Sequence, residues 1–148
     1  MLEELNVEVK VSMNYQKFFE KLEIDLDIDL VKIRQVVRKI SREMRFDIVA
    51  QTKLVTAVSE LTRNVLIHAK KGEIIIEEIE KAHRKGLKIT LIDEGPGIPD
   101  INLAMTDGFS TTKGLGKGLS GSKKLMDEFS IQSEVGKGTE VFIVKWVN

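Results

Sequence analysis

Glu73-Ile-Ile-Ile-Glu-Glu-Ile-Glu80 and Leu87-Lys-Ile-Thr-Leu-Ile92, with Asp93-Glu94-Gly95-Pro96-Gly97 directly after them, are the stretch that decides the fold. From about Asp29 to Lys71-Gly72 the apolar residues recur at helical spacing, and directly beyond it they follow strand-like spacing. The two runs predict an antiparallel hairpin with a loop of several residues around Arg84-Lys85-Gly86. The second strand ends on a carboxylate, Asp93, and hands the chain to a glycine-rich turn.

Working upstream, Leu54, Val58, Leu61 and Val65 form one helical stripe, which predicts a helix over roughly 48–69 with Asp47 as its N-cap. Ile33, Val36, Val37, Ile40 and Met44 predict a second helix, capped by Asp29. Leu22, Ile24, Leu26 and Ile28 alternate with charge and read as a strand, and Val7, Val9 and Val11 suggest a shorter one. Downstream, residues 94–118 hold only a short helical stretch near Ile101–Thr106. A helix around Leu119–Glu128 follows, and then Ile131–Val135 and Thr139–Val147 pair across Gly136-Lys137-Gly138. Two long helices followed by hairpin-linked strands predict an α+β fold. Its form is a two-layer α/β sandwich, with helices on one face of a mostly antiparallel mixed sheet. No repeat or linker divides the chain, so one domain over 1–148 is expected.

Composition narrows the function. Of the 148 residues 42% are apolar and 31% charged, a globular balance. Lys plus Arg (23) equals Asp plus Glu (23), so no overall basic field exists to hold nucleic acid or an anionic membrane. Without cysteine there is no disulfide framework, thiol nucleophile or thiolate metal site. The acidic start is unlike a signal peptide and no apolar run reaches spanning length, so a soluble cytoplasmic protein is expected. The unusual feature is eleven glycines against two prolines.

Three groups of residues could carry chemistry. Asp93-x-Gly95-x-Gly97 lets backbone approach a ligand beside a carboxylate that can accept from an amino group, such as that of adenine. The same letters also describe a plain β-turn. Gly114-Leu115-Gly116-Lys117-Gly118 precedes a helix, and four lysines and no acids lie between Lys113 and Met126. Freed N–H groups and a helix N-terminus suit phosphate, although a solvated surface loop has the same composition. The overlapping Gly116-x-Gly118-x-x-Gly121 lacks the preceding strand of a dinucleotide fold, and Ser122-Lys123 is the wrong order for a P-loop. Finally, Glu60 and Asn64, four apart, lie on one helical face beside the apolar stripe. Asn64 could offer an amide oxygen to Mg2+ and Glu60 could act as general base; the alternative is a solvated helix face.

Glu60-x-x-x-Asn64, Asp93-x-Gly95-x-Gly97, Gly114-x-Gly116-x-Gly118 and Gly138-Thr139, in that order, resemble the N, G1 and G2 boxes of the GHKL (Bergerat-fold) ATPase/kinase superfamily. The resemblance covers roughly residues 20–148. Within it, Val58-Ser-Glu-Leu-Thr-Arg-Asn64, Asp107-Gly-Phe-Ser-Thr111, Lys124-Leu-Met-Asp-Glu-Phe129 and Gly136-Lys-Gly-Thr139 are most similar to the stressosome switch kinases of bacterial partner-switching systems. The resemblance implies a serine/threonine protein kinase using ATP and Mg2+. Asn64 would hold the metal and Glu60 would be the base. Asp93, Gly95, Gly97 and Thr139 would form the adenine end, and Gly114, Leu115, Gly116, Lys117 and Gly118 the lid. Either Lys113 or Lys117 would reach the γ-phosphate. His68 would serve in packing or in support of its neighbours rather than in catalysis. The implied partners are a STAS-domain antagonist as substrate and a regulatory metal-dependent protein phosphatase. The alternative is an anti-sigma factor that sequesters a sigma factor with the same fold. Residues 1–20 would then be an N-terminal extension whose strand adds a sheet edge, supports a homodimer or frays.

Overall fold

The computed structural model describes residues 15–106 and 115–148. β1 (Tyr15–Ile24) leads into two long helices, α1 (Asp27–Glu43) and α2 (Ile48–His68). β2 (Gly72–Lys81), β3 (Arg84–Asp93), α3 (Ile101–Ala104), α4 (Leu115–Leu125), β4 (Glu128–Glu134) and β5 (Gly138–Trp146) complete it. The strands form one sheet in the order β1-β2-β3-β5-β4, and all four pairings are antiparallel. The α+β class is as expected, and the sheet has no parallel pair among the described residues.

Strand parity builds both core and site. Successive cross-strand rows face the helices. One runs Ile76–Ile89–Ile143–Phe129 and the next Ile74–Leu91–Val141–Ile131. Most of these side chains are buried, and Ile74, Ile76, Ile89 and Ile143 are wholly so. Burying each such side chain contributes about 1.5–3 kcal/mol. The third row, at the end of the sheet, runs Gly72–Asp93–Thr139–Ser133 and changes character from apolar to polar. The helices cover the same face. α2 buries Leu54, Val58, Leu61 and Val65 as the stripe requires, and also Val55 and Ala57, because α1 and α4 pack on its flanks.

Several boundaries differ from the sequence reading. The strand expected over Leu22–Ile28 ends at Ile24, and α1 begins at Asp27. Asp29 does not cap from the N-cap position. It sits inside the first turn and its carboxylate accepts the N–H groups of Leu26 (2.8 Å) and Asp25 (2.9 Å), which also lowers its pKa. Leu26 and Ile28 are therefore solvent-facing, and their alternation with charge continued a strand pattern into a helix. The β2–β3 loop is shorter than expected: Ala82 and His83, both at positive φ (52° and 66°), turn the hairpin by themselves. Two positive-φ residues match the twist of the flanking strands, here without the usual Asn-Gly signal. α4 starts at Leu115 and ends at Leu125, so β4 begins at Glu128, three residues before the expected strand. The Val7/Val9/Val11 segment lies outside the described residues.

Candidate active site

A cavity of about 440 Å³ opens at the polar end of the sheet, between α2, the turn after β3, the start of α4 and β5. Asn64 and His68 enter from α2, Asp93 from β3, Gly97 and Ile98 from the turn, and Thr139 from β5. Leu91, Val141 and Leu119 make the walls apolar. An apolar cavity with a few convergent polar groups suits a small-molecule ligand that those groups orient.

Asp93 stands at the end of β3, where it lines the cavity. Its carboxylate accepts the Gly95 N–H at 2.9 Å and the backbone N–H of Thr139, its cross-strand neighbour. Burial pushes its pKa above the ordinary aspartate value, while the two N–H groups and the charge of His68 pull against that rise. An ionised acid here is an acceptor with lone pairs to spare, suited to an amino group. On the opposite wall the Asn64 Nδ2 is buried with no hydrogen-bond partner among the described residues. A buried amide left uncommitted by the protein is costly unless something else engages it.

The remaining expected residues divide. Glu60 lies one turn before Asn64 on α2 but does not line the cavity. Its carboxylate pairs with Arg63 at 2.7 Å, both side chains being 42% exposed. Gly95 serves through its N–H to Asp93. Gly97 lines the cavity, as does Thr139. Leu115, Gly116, Lys117 and Gly118 belong to the first turns of α4, not to a loop preceding it. Lys113 and Gly114 lie outside the described residues.

The turn and the last hairpin are locked together. Gly97 has φ +79° and its missing Cβ would overlap the Glu134 carbonyl; Gly138 has φ +133° and would overlap that of Asp93. The Gly136 N–H donates to the Pro96 carbonyl at 2.9 Å. Sequence reasoning missed Ser133, which takes part in this lock, and the walls made by Pro96, Ile98 and Pro99. A signal for Ser133 existed, since it follows Phe129 and Ile131 in the inward parity of β4 and breaks their apolar run.

Residues 49–147 match the family described as histidine kinase-, DNA gyrase B- and HSP90-like ATPases. The chain belongs to this family. The GHKL resemblance thus holds, and ATP binding comes with membership. Serine/threonine-protein kinase RsbT of Bacillus subtilis (strain 168) is 51% identical over 119 residues, which cover 80% of this chain and 90% of that kinase. That likeness puts the chain in the serine/threonine-kinase branch of the family. An anti-sigma F factor of Thermoanaerobacter sp. (strain X514) is 42% identical over 97 residues, covering 62% of this chain and 67% of the relative. Among solved structures, the RsbU and RsbW domains of Rv1364c from Mycobacterium tuberculosis align with a TM-score of 0.58 at 18% identity, over 86% of this chain and 32% of that one. The catalytic domain of histidine kinase ThkA aligns at 0.54 and 17%, over 87% and 99%. At such identities these two structures speak for the fold alone. No helix among the described residues is long and apolar enough to cross a membrane.

Proposed function

We propose that this chain is the kinase of a bacterial partner-switching module. It transfers the γ-phosphoryl group of ATP to a serine or threonine of a STAS-domain antagonist and thereby regulates a downstream phosphatase or effector. The observation that carries the reading is the cavity that unites Asn64, Asp93, Gly97 and Thr139, in a chain half identical to a serine/threonine kinase. Asp93 accepts from the adenine amino group, with Gly95, Gly97 and Thr139 shaping that end. Gly114, Leu115, Gly116, Lys117 and Gly118 close over the phosphates, and Lys113 or Lys117 meets the γ-phosphate. The domain spans 1–148, with 1–20 as an extension, and works in the cytoplasm.

Asn64 suits magnesium. Among the described residues no group of three His, Cys, Asp or Glu could hold a metal, so an ion here takes most of its ligands from phosphate and water. The Asn64 amide oxygen would be the one protein ligand that such an ion needs, while its buried Nδ2, a donor and not a metal ligand, would be left to meet a phosphate oxygen or water. Bound magnesium would neutralise phosphate charge. Glu60, one turn before Asn64 on α2, receives the proton of the acceptor hydroxyl. That oxygen bonds to the γ-phosphorus as the bond to the β–γ bridging oxygen breaks, and ADP is the leaving group.

The test is radiolabel transfer from ATP to a cognate STAS-domain protein. Label on serine or threonine is expected, and Asn64→Ala should cut the rate by at least about 100-fold, since charge neutralisation carries most of such a reaction. Nucleotide binding without transfer to any STAS protein would refute the kinase reading. The anti-sigma F relatives favour a second reading, capture of a sigma factor. Stable co-purification with a sigma subunit, in place of a STAS protein or phosphatase, would select it.

A further inference from the structure

We infer that Ser133 is a positioning residue of the nucleotide site, whose hydroxyl sets the Ile98 wall and the Thr139 hydroxyl in register with Asp93. Ser133 stands on β4 and does not line the main cavity, whereas Ile98 and Thr139 both do. Its Oγ accepts the Ile98 N–H at 2.8 Å, from a residue 35 positions away in the chain. The same oxygen lies 3.1 Å from the Gly138 carbonyl and 2.7 Å from Thr139 Oγ1.

A serine hydroxyl has one proton and two lone pairs. All three contacts form together only when Ser133 donates to the Gly138 carbonyl and accepts from both the Ile98 N–H and the Thr139 O–H. That arrangement uses its full capacity, so the side chain has a single satisfied orientation. It also ties three segments together: the turn after β3, the β4–β5 hairpin and the first residues of β5. Thr139 is in turn the cross-strand partner of Asp93. Ser133 is thereby connected to the acid through one intermediate residue, although it never touches the ligand. The parity of β4 gives the reason for its chemistry. The position faces inward, in a row with Thr139 and Asp93, where an apolar side chain would leave the Ile98 N–H and the Thr139 hydroxyl without this partner.

The inference rests on the nucleotide reading of the cavity and assigns Ser133 to the base end. Its loss should therefore weaken ADP and ATP by the same factor and leave the phosphate end untouched. Calorimetric titration of Ser133→Ala with each nucleotide should show about a tenfold loss for both, the scale of one buried hydrogen-bonding group left unmatched. Ser133→Thr, which restores the hydroxyl, should recover binding to within about twofold of the unaltered chain. At saturating ATP the transfer rate should hold while KM for ATP rises. In 1H–15N spectra without nucleotide, the Ile98 amide should shift and exchange faster in Ser133→Ala. If that variant does not fold, Ser133→Cys keeps the shape with weaker bonding and should show a smaller loss of the same kind. Full affinity in Ser133→Ala with a lowered melting temperature would overturn the inference, leaving a purely structural serine. Equal weakness in the Ala and Thr variants would overturn it as well. If the unaltered chain bound neither nucleotide, the nucleotide reading itself would fall and take this inference with it.

Discussion

Where the turn after β3 meets the last hairpin, Gly97 and Gly138 hold φ angles of +79° and +133°, and a Cβ on either would enter neighbouring backbone. On the helical side Gly121, within α4, has nothing among the described residues within 4 Å of the point where a Cβ would stand. One region is built by backbone packed on backbone, with hydrogen bonds crossing from turn to hairpin. The other is a helix whose glycine costs helical propensity and returns no packing. Glycine in the first region is a steric requirement, while in the second the helix would tolerate a side chain. Spacing alone cannot tell these apart, because both regions read as glycines two or three apart.

The largest expected effect comes from filling the first region. Gly138→Ala adds a Cβ into the Asp93 carbonyl at a φ that side chains rarely adopt, and should cost at least about 3 kcal/mol of unfolding free energy in urea titration. A loss below about 1 kcal/mol would mean that the hairpin lifts off β3 with little resistance, and the contrast would collapse. Next comes the acid that this packing positions. Asp93→Asn should lower ATP affinity about ten- to hundredfold, the range for a hydrogen bond to a charged group, with the circular dichroism spectrum unchanged. Unchanged affinity would place the base elsewhere.

The second region should respond with the opposite sign and less strongly. Gly121→Ala is expected to raise stability by about 0.5–1 kcal/mol, read as a higher urea midpoint. A fall would show that α4 depends on its glycine after all. The smallest effect is the pH dependence of Asp93 itself. Because its folded pKa is raised, the folded state binds the proton more readily than the unfolded chain. Its stabilising contribution is complete below the ordinary aspartate value and is lost as pH rises through the folded value. The stability difference between Asp93→Asn and the unaltered chain should therefore move in favour of the variant as pH rises through that window. A difference constant with pH would contradict the raised value.

Where a pattern is local, the sequence was a good guide. The α2 stripe and the hairpin strands depend on residues a few positions apart, and helix and strand periodicity register them directly, while the order of the boxes is what carries the GHKL resemblance. Asn64, Asp93 and Gly97 were legible from their spacing and Thr139 through the GHKL resemblance, and all four line one cavity. Other features depended on competition between neighbours. Asp29 draws in the N–H groups before it and starts α1 two residues ahead of its own position, which no alternation of Leu22 to Ile28 could signal. Ala82 and His83 accept positive φ because β2 and β3 pair along their whole lengths.

Ser133 and the placing of Glu60 belong to the tertiary structure. Ser133 takes its meaning from an N–H 35 residues away and from the strand that pairs with its own. Glu60 shares a helical face with Asn64 in one dimension, yet α2 brings Asn64 to the cavity while Glu60 does not line it and pairs with Arg63. The sequence by itself determined the fold class, the apolar faces and which residues could carry the chemistry, because these follow from local periodicity and residue type. Only the folded chain decided which of them share a cavity, since cross-strand register and the packing of α2 against the sheet join residues that are far apart along it.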